Sequence, residues 1–416
     1  MKRAVVILVM ILLAPAAFAA GFQIAAQGAR AMGMGGAYTA VAEDATAIWY
    51  NPAGLTQHRD GEFVFGSMWA TKTDFSFTPN GGATQDGRSG NDILPQVYLS
   101  QPFGGRYVAG IGVNTPFGLP VKWEPSFTGR SIAYTSLLRT INVNPTVAMA
   151  VTPNFSIGFG ADYMFSKVQL QRSLWFGGPE AQTKLKNELF DDHGWGWNAG
   201  LMWTSGDWRL GATYRSSIDV DHDVTVTAFS SGNAAIDAAV ARGTGPATVK
   251  IEYPSSLNLG VAYVRGNMTF SVDLDRTDWS SFDQLQVLRG TTALLSRNTN
   301  WDDSWAWRFG FRKESGPLTW RLGFYRDQTP QPSADVGPIL PDADRNGYSI
   351  GISLGAPGGI WPSVDIADIY VKFSDRNGPA VPTVLPTLTT AGALGLAAGT
   401  YATTGNELAL NLHWNW

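Results

Sequence analysis

The last eleven residues, Asn406 to Trp416, constrain the fold more than any other stretch of the chain. Leu408, Leu410, Leu412, Trp414 and Trp416 take every second position, with Ala409, Asn411, His413 and Asn415 between them. A strand sends alternate side chains to opposite faces, so this segment has one apolar face and one small or polar face. Two environments suit such a strand. Its apolar face is buried against a soluble core, or it faces lipid in the wall of a bacterial outer-membrane barrel, with aromatic residues at the interface.

The N-terminus bears on that choice. Lys2 and Arg3 precede an apolar run from Ala4 to Leu13, and Ala17-Phe18-Ala19 supplies small residues ahead of Ala20. That order of basic start, apolar middle and small-residue cleavage site reads as a secretory signal peptide over residues 1–19. The run is too short for a membrane anchor, and no later uncharged stretch is long enough to span as a helix. Yet hydrophobic residues make up 44% of the chain, with Trp 16, Phe 21 and Tyr 13. Mean hydropathy is only -0.06, as alternation between faces would give. Cysteine is absent, so no disulfide framework holds an exported fold together. The formal charge of -4 and the lack of a basic tract argue against nucleic acid as a partner.

Period-two runs broken by turns fill residues 61–416. Phe155, Ile157, Phe159, Ala161, Tyr163 and Phe165 alternate with Ser156, Gly158, Gly160, Asp162, Met164 and Ser166. The same pattern recurs at Trp208–Arg215, Met268–Asp275 and Trp305–Arg312. Each run is a strand with one apolar face. Connections fall into two length classes. Short ones at 102–105, 152–154, 205–207, 265–267, 314–317 and 356–362 are rich in Gly, Asn, Asp and Pro. Long ones at 78–92, 117–137, 176–193, 221–247, 280–302, 327–345 and 374–405 lie between them. Short periplasmic turns alternating with long outer loops predict an all-β fold: a transmembrane antiparallel β-barrel of about 14 strands.

Residues 20–60 lack this alternation and are rich in Gly and Ala. A segment of that length is more than a tail needs, and its simplest location is the lumen, as a plug or hatch. Asn233–Arg242, with Ala234, Ala235, Ile236, Ala238, Ala239 and Val240, has helix-forming composition and reads as a short surface helix.

Several segments, in order, resemble one family. Ala20-Gly21-Phe22-Gln23-Ile24 is similar to its mature N-terminus, and Asn51-Pro52-Ala53-Gly54 to its plug motif. Thr115-Pro116-Phe117-Gly118-Leu119 matches its third-strand region, and Gly194-Trp195-Gly196-Trp197-Asn198-Ala199-Gly200 opens the sixth strand. Asp273 to Leu285, with Thr277, Trp279, Ser280 and Phe282, is highly specific, as is Thr329-Pro330 followed by Leu340-Pro341-Asp342-Ala343-Asp344-Arg345. On these motifs the chain resembles the outer-membrane long-chain fatty acid and hydrophobic-compound transporters (FadL/TodX-like, OmpP1-type).

The resemblance implies a fourteen-stranded barrel closed by an N-terminal hatch. Outer loops capture a hydrophobic ligand, which moves to a pocket near the hatch. It then leaves sideways through a gap at a kinked third strand. A lateral exit keeps apolar surface covered throughout, whereas a watery pore would expose it. Asn114, Pro116, Phe117 and Gly118 are the candidate gap residues, because Pro cannot donate to a ladder; strand ending alone is the bland alternative. Asn51, Pro52 and Ala53 are the plug motif. Phe22, Lys167, Arg172, Arg215 and Arg308 are candidate substrate contacts, since family transporters of fatty acids meet the carboxylate with basic residues. Arg312 and Arg321 share their inward faces, and pairing with Asp162, Asp273 or Asp275 is the structural alternative. Cargo is either long-chain fatty acid or aromatic and aliphatic hydrocarbon, which needs no cation.

Other motifs carry less. Asp342 to Gly347 mimics the start of a calcium loop, but Ser353 stands where a bidentate carboxylate is required. Gly351-Ile352-Ser353-Leu354-Gly355 fits a hydrolase elbow in spacing, yet it lies on strand pattern rather than a strand–turn–helix. His58, His193, His222 and His413 are far apart and give no metal spacing. No inward-facing Ser/His pair is visible in the alternation, so a lipid-acting enzyme is the weaker alternative, with a general diffusion porin beside it. No catalytic residue, metal or cofactor is expected. The expected surroundings are outer-membrane lipid and lipopolysaccharide. No strand face stands out as a subunit contact, so the chain is read as a monomer.

Overall fold

The computed structural model describes residues 21–24, 26–58, 60–88, 90, 92–355, 362–383 and 394–416. The leader read at 1–19, and all but the last residue of the turn read at 356–362, lie outside the described residues. The wall begins with β1 (Glu62–Pro79), β2 (Asp92–Phe103), β3 (Tyr107–Asn114), β4 (Thr135–Thr152), β5 (Phe155–Trp175), β6 (Asp192–Ser205) and β7 (Trp208–Arg215). It continues with β8 (Ser256–Arg265), β9 (Met268–Thr277), β10 (Ser304–Ser315), β11 (Leu318–Asp327), β12 (Arg345–Leu354), β13 (Ser363–Phe373) and β14 (Gly399–Asn415). Each wall strand pairs antiparallel with the next. β14 pairs with β1 from Glu62↔Asn415 to Pro79↔Gly399, which closes the barrel and removes the free edges.

The wall is apolar on the outside. Phe159, Trp195, Leu201, Trp208, Phe270, Trp307, Leu322 and Ile350 are exposed, while Asp162, Asn198, Thr269, Asp273 and Asp365 are buried on the opposite face. An apolar surface of this extent has no place on a soluble protein and matches a lipid-facing band. The terminal strand follows the same rule, with Ala409, Asn411 and His413 buried and Trp416 exposed.

Residues 21–58 pack inside this wall. They form two short helices, α1 (Ala29–Gly33) and α2 (Ala47–Tyr50), and a 3₁₀ turn, Pro52–Gln57. Short helices satisfy few of their own backbone groups, so wall side chains take them up. The Ala29 N–H donates to Asn411, the Gly35 N–H to Ser349 Oγ at 3.0 Å, and the Ala45 N–H to Glu62 Oε2 at 2.6 Å. Tyr38 and Thr39 both donate their N–H to Asp273 Oδ2, at 2.8 and 2.7 Å.

Three of the long connections are hairpins rather than loops. β5 runs on to Trp175 and pairs with Glu180–Lys186; Ile218–Ala228 pairs with Gly245–Tyr253; Gln284–Arg289 pairs with Thr292–Asn298. The connection read from residue 221 thus begins inside a strand: Asp219, Asp221 and Asp223 are its exposed face, and Ile218, Val220, His222 and Val224 are buried. The expected helix is present as α3 (Ala234–Ala241). Asn233 caps it, its Oδ1 accepting from the Ala235 and Ile236 N–H groups.

Candidate functional site

The plug motif meets bare wall backbone. Asn51 Nδ2 donates to Thr39 O at 2.9 Å and to Leu201 O of β6 at 3.0 Å, and its Oδ1 accepts from the Ala53 N–H at 3.1 Å. Gly158 of β5 and Gly200 of β6 are register partners directly behind it. A Cβ on Gly200 would lie 2.1 Å from Asn51 Oδ1, and one on Gly158 would lie 2.4 Å from the Pro52 carbonyl carbon. Pro52 opens the 3₁₀ turn, where its missing N–H costs nothing.

The third strand leaves its ladder beside the hatch. Asn114 pairs with Asn142 of β4, and pairing resumes at Gly118↔Arg139, one residue out of step. Between them Pro116 has no N–H to give. The Thr140 hydroxyl takes over from the wall backbone, accepting from the Phe117 N–H at 3.0 Å and donating to Phe117 O at 2.8 Å. The freed edge is used by the hatch instead. The Ile24 N–H donates to Pro116 O, and the Gly118 N–H donates to Phe22 O, both at 2.8 Å. Gln27 Nε2 adds a bond to Thr115 O at 2.8 Å.

That short hatch strand separates two unlike spaces. Phe22 faces an apolar cavity of about 120 Å³ that also touches Leu119, Leu138, Val168, Ile251, Phe282 and Leu340. Its ring packs edge-on against Trp279 at 4.6 Å and Phe282 at 5.3 Å. Gln23 faces a polar cavity of about 50 Å³ lined by Arg215, Asn258, Asp275, Arg308 and Asp327. A second apolar cleft, about 150 Å³, lies under α3 and the outer hairpins and contains Arg172. It shares Leu170, Leu185, Val287 and Leu295 with the first cavity, so the two adjoin across those side chains.

The candidate contacts therefore separate. Phe22 lines the first apolar cavity and Arg172 the second. Arg215 and Arg308 sit on the far side of the hatch strand, Arg215 paired with Asp162 and stacked on Trp49, Arg308 paired with Asp275. Lys167 is outside both cavities, 2.8 Å from Glu188. Hydrogen bonds from Lys167 and Lys186 hold that carboxylate down at about 2. Of the two arginines read beside them, Arg312 pairs with Glu43, and Arg321 donates to Ser353. Arg297, which also lines the apolar cavity, carried no signal in the sequence, because its outer hairpin read as loop. Asp342 was legible as part of a motif, and its role is anchoring: its Oδ2 accepts from the Gly21 N–H at 3.1 Å and from Thr329 Oγ at 2.6 Å.

One expectation is overturned. The fold does create an inward Ser/His pair, with Ser166 Oγ 2.8 Å from His222 Nε2. Local alternation could not reveal it, because His222 comes from a hairpin strand that read as loop. Ser166, His222 and Tyr253 are all fully buried, and the Tyr253 hydroxyl is 2.5 Å from Ser166 Oγ. His222 Nδ1 faces Val249 O at 3.0 Å. The Ser166 hydroxyl is thus spent on two neighbours and walled off from the cavity, as a packing network requires.

Comparison with known proteins agrees with this architecture. Residues 10–376 match the family described as outer membrane protein transport protein (OMPP1/FadL/TodX). The long-chain fatty acid transport protein of Escherichia coli K12 is 23% identical over 382 residues, covering 82% of this chain and 85% of that one. Outer membrane protein P1 of Haemophilus influenzae Rd is 24% identical over 447 residues, covering 90% and 91%. A Pseudomonas aeruginosa FadL homologue superposes with TM-score 0.83 at 18% identity, covering 95% of this chain and 100% of that one. The Pseudomonas putida toluene transporter TodX gives 0.71 at 18% identity, covering 94% and 98%. A closed barrel and a family match over most of its length agree: the chain belongs to the outer-membrane transport protein family of OmpP1, FadL and TodX.

Proposed function

We propose that this chain takes up hydrophobic small molecules across the outer membrane, drawing on long-chain fatty acids or aromatic and aliphatic hydrocarbons as cargo. The relatives point the same way: some are named for long-chain fatty acid transport and others for toluene. Cargo enters the cleft under α3, with Arg172 at its side, and slides along the shared Leu170, Leu185, Val287 and Leu295 into the cavity above Phe22. It then leaves sideways at Thr115–Phe117 into lipid. The chain works as an exported monomer among lipid and lipopolysaccharide.

One observation carries this reading: the hatch strand that floors the apolar cavity is also the strand that seals the break in β3. A shift of residues 22–24 therefore opens floor and gap together. Gln23 and Phe117 face each other as a non-hydrogen-bonded antiparallel pair, for which Cα atoms lie about 4.5 Å apart, within disulfide reach. The chain has no cysteine of its own. Gln23→Cys with Phe117→Cys, oxidised, should abolish uptake of labelled oleate and toluene, and reductant should restore it. Normal uptake with the crosslink formed would end the lateral-exit reading.

A further inference from the structure

The outer face of the wall changes chemistry abruptly along β5. Its outward residues run Phe159, Tyr163 and Phe165, and then Lys167, Gln169 and Gln171. A tilted strand crosses the apolar band in about 9–11 residues. Counted from the short turn before Phe155, the band ends near Phe165, and Lys167 enters the head-group layer on the outer side.

Register carries this layer sideways. Gln169 pairs with Lys186 and Gln171 with Lys184 on the outer hairpin, and these lysines pair in turn with Thr225 and Thr227. Residues directly opposite in a ladder share a face, so ammonium, amide and hydroxyl groups form one outward patch. Glu188 lies 2.8 Å from Lys167 and also pairs with Lys186. Among the described residues Lys184 is in no ion pair, and Asp223, next along from Thr225, pairs with none of the three lysines. The lysines therefore hold positive charge that the protein leaves in excess.

Directly beneath lies a continuous aromatic surface. The Tyr163 and Trp195 rings are 4.4 Å apart, and those of Phe165 and Phe190 5.0 Å. Trp195 is 67% exposed and Phe190 43%. Phe190 also holds φ at +76°, a left-handed backbone that bulky side chains avoid. That strain presents its ring outward, where contact with an acyl chain would offset it.

We propose that this face binds one phosphorylated glycolipid of the outer leaflet, the lipid A end of a lipopolysaccharide. Its phosphates meet Lys167, Lys184 and Lys186, its sugar hydroxyls and amides meet Gln169 and Gln171, and its acyl chains lie on the rings below. A phospholipid, with no sugar, would leave the amide rows unmatched. Lys167 is the register partner of Arg139, and Arg139 of Gly118, where pairing resumes after Pro116. The bound lipid thus borders the break in β3.

Native mass spectrometry of the full chain, refolded into detergent without lipid and titrated with lipid A, tests this. Bisphosphorylated lipid A should bind at least about tenfold tighter than its dephosphorylated form. Lys184→Ala with Lys186→Ala should weaken that binding about thirtyfold, while the paired change to Arg should keep it within about threefold. Phe190→Ala should cost about fivefold. Lys372→Ala, an exposed lysine on β13, should stay within about twofold of the intact chain, because it lies outside the patch. Heat-shifted gel migration confirms that each variant is folded. No binding, equal affinity for the dephosphorylated lipid or for phosphatidylglycerol, undiminished affinity in the double alanine variant, or an equal loss in Lys372→Ala each overturns the assignment. None of these outcomes bears on the uptake reading.

Discussion

Asn51 holds the hatch to itself and to the wall, and removing its amide should release the hatch while leaving the barrel intact. Asn51→Ala deletes the bonds to Thr39 O, Leu201 O and the Ala53 N–H. Each is worth about 1 kcal/mol net, so the sum is about 3 kcal/mol. Leaving the abandoned groups unpaired between hatch and wall pushes the cost up rather than down. At 1.4 kcal/mol per decade, the opening equilibrium of the hatch rises about a hundredfold. Asn51→Asp should be worse than Ala, because it sets a carboxylate against two carbonyl oxygens. Hydrogen exchange of peptides covering residues 38–56, in micelles, measures this directly. Hatch amides should lose about two decades of protection while β5 and β6 keep theirs. Protection within about threefold of the intact chain would refute the reasoning. So would simultaneous loss in the wall, since hatch and barrel would then open as one unit.

Gly200→Val should produce a folded barrel with an unseated hatch, since even a Cβ at this position would lie 2.1 Å from Asn51 Oδ1; ion conductance in planar bilayers should rise severalfold, and unchanged conductance would count against the close-packed hatch. Asp342 gives a pH signature. Burial raises its carboxyl above the ordinary carboxylate value near 4, so the folded chain holds that proton more tightly than the unfolded chain. The sign follows: as pH falls from the raised value toward about 4, Asp342 adds stability, and as pH rises through that window the gain is lost. Asp342→Asn keeps an acceptor for the Gly21 N–H without the charge, so its gel-shift melting temperature should show a weaker acid-side rise than the parent chain. Identical pH profiles would remove Asp342 as the titrating group.

Much of the wall was legible, for a physical reason. A barrel strand's two faces differ in solvent along its whole length, so Leu408 to Trp416 and Phe155 to Ser166 display period two without any knowledge of partners. Strands that leave the membrane lose that contrast. Ile218–Ala228 keeps its alternation with acids on the exposed face, yet the sequence reading places a loop from residue 221. The glycines of the wall were visible as residues and silent as a pattern. Only strand register brings Gly158 opposite Gly200, Gly211 opposite Gly260, and Gly310 opposite Gly323. These small-residue pairs are where hatch backbone approaches the wall, which is the usual meaning of glycine inside a strand. The cations show the same limit. Arg215, Arg308 and Arg297 are alike in sequence, and what separates them is whether an acid on a nearby strand pairs with them.

For the sideways exit proposed above, a two-residue alternation in the hatch supplies a physical reason. Phe22 turns its ring into the apolar cavity, and the next residue, Gln23, turns its amide into the polar one. Each methylene moved from apolar surroundings into a hydrated, charged space costs about 0.8 kcal/mol. For a tail of a dozen carbons, passage between Arg215 and Arg308 would therefore cost about 10 kcal/mol, more than the stability of many small domains. Sideways movement past Thr115–Phe117 leaves the tail in apolar contact from cavity to lipid. On that proposal the salt-bridged layer beneath Gln23 is a floor for hydrophobic cargo even if the hatch strand moves. The proposed lateral exit depends on that floor as much as on the break in β3: a break above an apolar lumen would leave the tail two routes of equal cost.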